Sequence, residues 1–147
     1  MGLRDNKAAR VIAGSLAGMV TAFLLLIAAE MFSAIMHPFP ADFGGTQEEV
    51  CQHVARYPEW VLATVVGAWG LTALASTWIA ARIGGRGAAI LIGLLLLAGL
   101  VCNVTMLPYP RWFKVLSVIV SATAVFTAVC SPSIGSPIPQ LERTPDS

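Results

Sequence analysis

The chain has 147 residues, of which 56% are hydrophobic and 12% charged, with a formal net charge of +1. Soluble domains carry about 25% charged residues, so a water-soluble globule is excluded, and the near-neutral balance excludes a strong field for nucleic acid. A helical span takes about 20 apolar residues. The length therefore accommodates four crossings, one loop and a tail, with no room for a separate catalytic domain.

The N-terminus carries Arg4, Lys7 and Arg10 ahead of an uncharged run from Val11 to Ala29. This run predicts a first transmembrane helix over about 11–36. It exceeds the h-region of a signal peptide and no small-residue cleavage site follows, so it reads as a retained span. Gly14, Gly18, Thr21 and Ala22 line one side of it, and in lipid such small residues let helix backbones approach. Packing within the bundle is expected there, with a homodimer seam as the alternative.

Glu30 is the one carboxylate inside an apolar run. An acidic residue costs about 2.5 to 3.5 kcal/mol at the centre of a span and less near the interface, so it needs a partner. Ser33 and His37 follow on the same helical face. Asn103 and Thr105, near the end of the third span, are the expected partners from another helix. Glu30, Ser33, His37, Asn103 and Thr105 together form the candidate intramembrane polar cluster.

The segment 38–58 is the outer loop. Gly44-Gly45 supplies a turn, and Thr46 with Glu49 three positions later predicts a capping box that starts a short amphipathic helix running to about Arg56. Val50 and Val54 share one face of that helix, which would lie on the outer surface or close over the bundle. Cys51, His53, His37 and Glu30 offer four metal-binding side chains, but their spacing matches no zinc pattern. No metal and no cofactor is expected. A Cys51 to Cys102 disulfide is conceivable, although unpaired cysteine is the commoner state in a span.

Further spans are predicted at about 60–81, 88–107 and 113–131. Ala63, Gly67 and Gly70 supply the expected contact face in the second, and Ser117, Ser121 and Ala128 in the fourth. Met36-His37-Pro38-Phe39-Pro40 and Met106-Leu107-Pro108-Tyr109-Pro110 share the pattern Met-x-Pro-aromatic-Pro. Tyr57-Pro58-Glu59-Trp60 and Tyr109-Pro110-Arg111-Trp112 open the second and fourth spans alike. The chain reads as one helical hairpin used twice, related by an axis along the membrane normal. Proline and aromatic residues at any interfacial helix end would produce the same pattern without a repeat.

Arg4, Lys7, Arg10, Arg82, Arg86 and Arg143 lie on one side, against Arg56, Arg111 and Lys114 on the other. This asymmetry predicts both termini in the cytoplasm and the loop outside. Residues 132–147, rich in proline and serine, predict a disordered cytoplasmic tail after one membrane domain over 1–131.

Glu30 with His37-Pro38, the segment from Ala80 to Arg86, and Asn103 followed by Pro108-Tyr109-Pro110-Arg111-Trp112-Phe113 resemble small, uncharacterised bacterial four-span inner-membrane proteins. The resemblance covers about residues 8 to 130 and implies an architecture without an activity. In size and in its first-span glutamate the chain is also similar to small multidrug exporters. It departs from them in its long outer loop and in the late position of Glu30.

The expected fold is an all-α, integral membrane four-helix bundle with a short amphipathic helix in its first loop. No nucleophile elbow, P-loop or dinucleotide fingerprint is present, and two histidines are too few to ligate two haems across a bundle. Action by interaction or scaffolding, without catalysis, is the leading expectation. A proton-coupled transporter or channel using Glu30 is the alternative, and an enzyme acting on lipid comes third. The expected partners are the bilayer, further copies of the chain or a larger membrane complex, and no nucleic acid.

Overall fold

The computed structural model describes residues 3–131; the predicted tail, 132–147, lies outside them. The described chain is helical throughout: α1 (Leu3–Met36), α2 (Gln47–Ala55), α3 (Glu59–Gly84), α4 (Arg86–Met106) and α5 (Arg111–Cys130). Four of these helices, all but α2, are long and apolar enough to cross a membrane. Large apolar side chains of α1, among them Leu16, Phe23, Leu24 and Ile35, point outward with little cover. Contiguous apolar surface of that kind is stable only against lipid.

Helix ends follow local chemistry. Pro58 and Pro110 stand at the N-cap positions of α3 and α5, where a fixed φ and a missing N–H are harmless. Trp60 and Trp112 fall in the first turns, the residue type that sits at headgroup level. Gly85, with φ of 77°, turns α3 directly into α4, a conformation that glycine adopts without a Cβ clash. At 1.5 Å per residue the 34 residues of α1 span roughly 51 Å, well beyond a hydrocarbon core of about 30 Å. Its N-terminal turns therefore project past the bilayer.

α3 and α4 each touch the other three spans, whereas α1 and α5 stand on opposite sides and do not meet. The α1–α3 seam is the most extensive and the α3–α5 seam the next, while α4 meets α5 over a much shorter stretch. The two hairpins therefore pack unequally, and a two-fold axis does not exchange them. Their shared motifs lie at helix ends, where interfacial anchoring selects the same residues whatever the packing below.

At the end of the bundle bearing the N-terminus and the α3–α4 turn, here the termini end, small residues bring the backbones together. A methyl group added at Gly14 would lie 2.5 Å from Gly84 Cα and 2.8 Å from the Ala80 carbonyl oxygen; one at Gly18 would lie 2.9 Å from the Ser76 carbonyl oxygen. The Gly14/Gly18 face is thus used within the chain, against α3. Ala80, Ala88 and Ile92 form the buried cluster beneath it. The Arg10 guanidinium donates to the Ile83 carbonyl at 3.5 Å, serving a carbonyl left unpaired at the C-terminus of α3.

The expected contact face of α3 needs correction. Ala63 and Gly67 are exposed, and a methyl group at Gly67 would meet nothing within 4 Å. The buried face instead carries Val61, Leu62, Val65, Val66, Trp69 and Ala73, and of the three expected residues only Gly70 packs, against Val120 of α5. Ser117, Ser121 and Ala128 of α5 are buried as expected.

A cavity at the loop end

The opposite end of the bundle, carrying α2 and the α4–α5 connection, is built from large side chains. Phe113 is fully buried and meets Trp69, Tyr109 and Trp112 ring to ring, with centroids 4.6 to 6.0 Å apart. Aromatic packing joins α5 to α3 here, while glycine draws α1 onto α3 at the other end. Between them the spans leave a partly open cavity of about 430 Å³ in the loop-end half, within the range of small-molecule sites, and Glu30, Leu95, Gly99 and Asn103 of its lining are exposed.

All four spans line it. Leu26 and Glu30 come from one face of α1, and Trp69, Thr72 and Ala73 from one face of α3. The face of α4 bearing Leu96, Leu100 and Asn103 closes a third side, with Leu95 and Gly99 beside it, and Ser121 enters from α5. The walls are mainly apolar, and none of the lining residues is basic.

Hydrogen bonding inside the cavity is incomplete. The Thr72 hydroxyl is satisfied locally, donating to the Ala68 carbonyl at 2.8 Å. The Trp69 indole N–H and the Ser121 hydroxyl, on residues 9% and 3% exposed, have no partner. A buried polar group without a partner costs about 1 to 3 kcal/mol, which a bound molecule or water would relieve. Ser15, Ser76, Thr77 and Ser117 also bury unpartnered hydroxyls, but none of these lines the cavity.

The depth of Glu30 follows from its neighbours. Phe32, two residues on, meets the Trp60 ring edge-on at 6.4 Å, so Glu30 lies about 3 Å along the helix axis from the tryptophan level. The carboxylate is therefore near the headgroup region, where ionisable groups cost far less than at the bilayer centre. Its charge reaches two loop phenols. Burial raises Tyr57 above its ordinary value, the Glu30 charge adds to this, and the Ser33 hydroxyl works against it. Burial pushes Tyr109 up to about 12, again with help from Glu30. Both phenols are thus neutral donors at physiological pH.

The five residues of the expected polar cluster separate. Glu30 and Asn103 both line the cavity, from α1 and α4, and both are exposed. Ser33 is buried beside Tyr57. His37 turns instead to the loop, its ring stacked at 4.3 Å on His53 and 4.6 Å from Tyr57. Thr105 leaves the cluster, since its hydroxyl donates to the Val101 and Cys102 carbonyls of its own helix.

Over the loop end, α2 is held through its flanking segments. Thr46 is the N-cap and forms the expected capping box with Glu49, whose carboxylate accepts from the Thr46 N–H at 2.9 Å. His53 is clamped between Phe39, at 4.2 Å, and His37, with its Nε2 unpartnered. Burial holds His53 below the usual histidine value, and the neighbouring His37 charge acts in the same sense. The possible metal set of Cys51, His53, His37 and Glu30 is not assembled: among the described residues no three His, Cys, Asp or Glu side chains gather to hold an ion. Cys51, Cys102 and Cys130 are free, so Cys51 and Cys102 are not bridged.

Trp69, Thr72, Tyr57 and Tyr109 were not legible as site residues. One signal was available for Trp69: an indole in the middle of a span, away from the interface where tryptophan concentrates, asks for a partner for its N–H.

The chain matches no family model, no curated protein and no solved structure.

Proposed function

We propose that this is a membrane-embedded binding protein that acts by interaction and without catalysis, receiving a membrane-soluble small molecule in the loop-end cavity. The observation that carries the reading is the cavity itself: about 430 Å³, partly open and lined by all four spans, beside two buried donors that the protein leaves unpaired. The nearby hydroxyl of Thr72 is committed to its own helix, so it is not poised as a nucleophile beside a base. The six-to-three distribution of basic residues supports termini in the cytoplasm and the loop outside, as in a bacterial inner membrane. In a variant lacking native cysteine, labelling of a cysteine at Gln47 from outside and at Lys7 from inside tests that orientation.

Binding of radiolabelled 1-dodecanol to the protein in digalactosyldiacylglycerol vesicles tests the function. Gly99 lines the cavity, and a Cβ there meets nothing within 4 Å. Gly99→Leu should therefore fold, with its side chain at the exposed rim of the cavity obstructing entry. Saturable binding lost in Gly99→Leu is expected; binding that is unsaturable, or equal in the two proteins, removes the reading.

The position of Glu30 at this cavity favours one second reading, a proton-coupled transporter. Proton flux through reconstituted wild type at two pH values, abolished by Glu30→Gln, would establish transport in place of simple binding, because an amide cannot carry a proton.

A further inference from the structure

A second hollow lies at the termini end, on the α5 side of the bundle. Leu74, Ala75 and Trp78 of α3 and Ser131, which closes α5, line an open groove of about 350 Å³. Leu74 and Trp78 are exposed along one face of α3, and the Ser131 hydroxyl is committed to the Thr127 carbonyl at 2.8 Å. The walls are therefore mainly apolar.

One turn further along α3 the groove ends in a cation. The Arg82 guanidinium lies over the Trp78 ring, 4.4 Å from its centroid. Contact with the face of a ring engages a guanidinium through its own face. Its N–H donors lie in its plane and remain available for a phosphate, which they match as a fork.

Depth and charge specify the occupant. Trp60 marks the loop-end interface, and Trp78 lies about 27 Å from it along the axis of α3, close to the hydrocarbon thickness of about 30 Å. Trp78 thus marks the other interface, with Arg82 about 6 Å beyond it at headgroup level and Leu74 and Ala75 on the hydrocarbon side. The helices and turn of this end carry Arg4, Lys7, Arg10, Arg82 and Arg86 against one acid, Asp5, so the surface attracts anions. An irregular polypeptide in the groove would leave backbone groups unpaired at hydrocarbon depth, whereas an acyl chain has none to satisfy. A phospholipid of net negative charge meets both requirements in one molecule.

We propose that the groove between α3 and the end of α5 holds an anionic phospholipid, with its phosphate at Arg82 and one acyl chain along Trp78, Ala75 and Leu74. The site is separate from the loop-end cavity and does not depend on what that cavity binds.

The test is native mass spectrometry of the delipidated full chain in neutral detergent, offered equal amounts of dioleoyl phosphatidylglycerol and dioleoyl phosphatidylcholine. These lipids share their acyl chains and differ in net charge. Wild type should retain the anionic lipid about five-fold more than the zwitterionic one, the preference that one basic side chain supplies at a membrane surface. That preference should fall toward one in Arg82→Gln. It should persist in Lys7→Gln, which removes an exposed charge from the same end but on α1, a helix that does not meet α5. Ala75→Leu, which fills the groove beside an unchanged Arg82, should lower retention of both lipids. The wild-type ranking stands without any variant, so the inference is open to refutation even if one of them fails to fold. Equal retention of the two lipids by wild type overturns the inference. So does an equal loss of preference in Lys7→Gln and Arg82→Gln, which would mean that the charge of the whole end selects, and so does unchanged retention in Ala75→Leu. Release of the bound lipid by inorganic phosphate would show a headgroup site without a chain and overturns it as well. Absence of any retained lipid would assign the groove to another occupant, the chain beyond Ser131 among them, with the same consequence.

Discussion

The two ends of the bundle solve the same problem, holding four apolar helices together in lipid, by opposite means. At the termini end Gly14, Gly18, Gly84 and Ala80 remove side chains until backbone rests on backbone. At the loop end Phe113, Trp69 and Tyr109 pack in edge and tilted contacts, and the bulk that joins α3 to α5 leaves α1 and α4 facing each other across a cavity. Helix association in a bilayer depends on close packing because lipid offers no hydrophobic drive. The termini end therefore leaves no space between α1 and α3, whereas the loop end, which also holds the larger buried apolar cluster, leaves room to bind.

The largest effect should come from adding bulk to the tight end. Gly14→Leu would press against the backbone of Gly84 and Ala80, which cannot rotate away, and overpacking of this kind costs about 1 to 3 kcal/mol or more. Reversible unfolding in mixed micelles should show that loss, whereas Gly99→Leu, the same change made at the hollow end, should stay within about 1 kcal/mol of wild type on the same scale. Equal losses from both variants would erase the distinction between the ends.

Next in size is the N-cap of α2. Thr46→Ala removes both side-chain bonds to Glu49 and should weaken α2 by about 0.5 to 2 kcal/mol, measured as faster amide exchange across Glu48 to Val54 with exchange in α3 unchanged.

A smaller effect should follow from pH. His53 is held below the ordinary histidine value of 6.5, first by burial and then by His37. A lowered value in the docked state means that the undocked state binds more protons, so α2 docking is fully stable above about pH 6.5 and weakens as pH falls from there through the lowered value. Protection of the α2 amides, taken relative to the intrinsic exchange rate at each pH, should fall between pH 7.5 and 5.5, and His53→Phe, which keeps a ring between Phe39 and His37, should flatten that dependence.

The smallest effect is expected at Gly67. Its sequence spacing resembles a contact motif, yet a methyl group there meets nothing, so Gly67→Ala should be neutral or stabilise α3 by up to about 1 kcal/mol through helix propensity. A loss above that size would mean that the exposed face of α3 is an interface with another molecule.

Spans, loop helix and cap were legible in the sequence because each rests on local physics. An uncharged run of bilayer length, proline with tryptophan at a helix start, and Thr46 paired with Glu49 need no knowledge of the other helices. The face of α1 bearing Gly14 and Gly18 was legible for the same reason. What could not be read was the partner each face would choose. Small residues permit close approach without specifying it, which is why Gly67 misled where Gly70 did not. Likewise Glu30, Ser33 and His37 share a helical face, but His37 lies at the helix end and follows the loop to His53, while Glu30, two turns deeper, lines the cavity, as Asn103 does from α4. The cavity itself is a difference in packing between two ends of the same four helices, and no single stretch of sequence encodes it.

The contrast between a tight end and a hollow, occupiable one is tested most directly at Trp69, which lines the cavity. In a variant carrying Trp60→Phe, Trp78→Phe and Trp112→Phe, Trp69 is the only indole, and its fluorescence can be titrated with 12-bromododecanol in digalactosyldiacylglycerol vesicles. The account predicts quenching that saturates and that disappears when Gly99→Leu is added. Quenching that rises linearly with probe and is the same with and without Gly99→Leu would show that bromine reaches Trp69 only from bulk lipid, and would contradict the account.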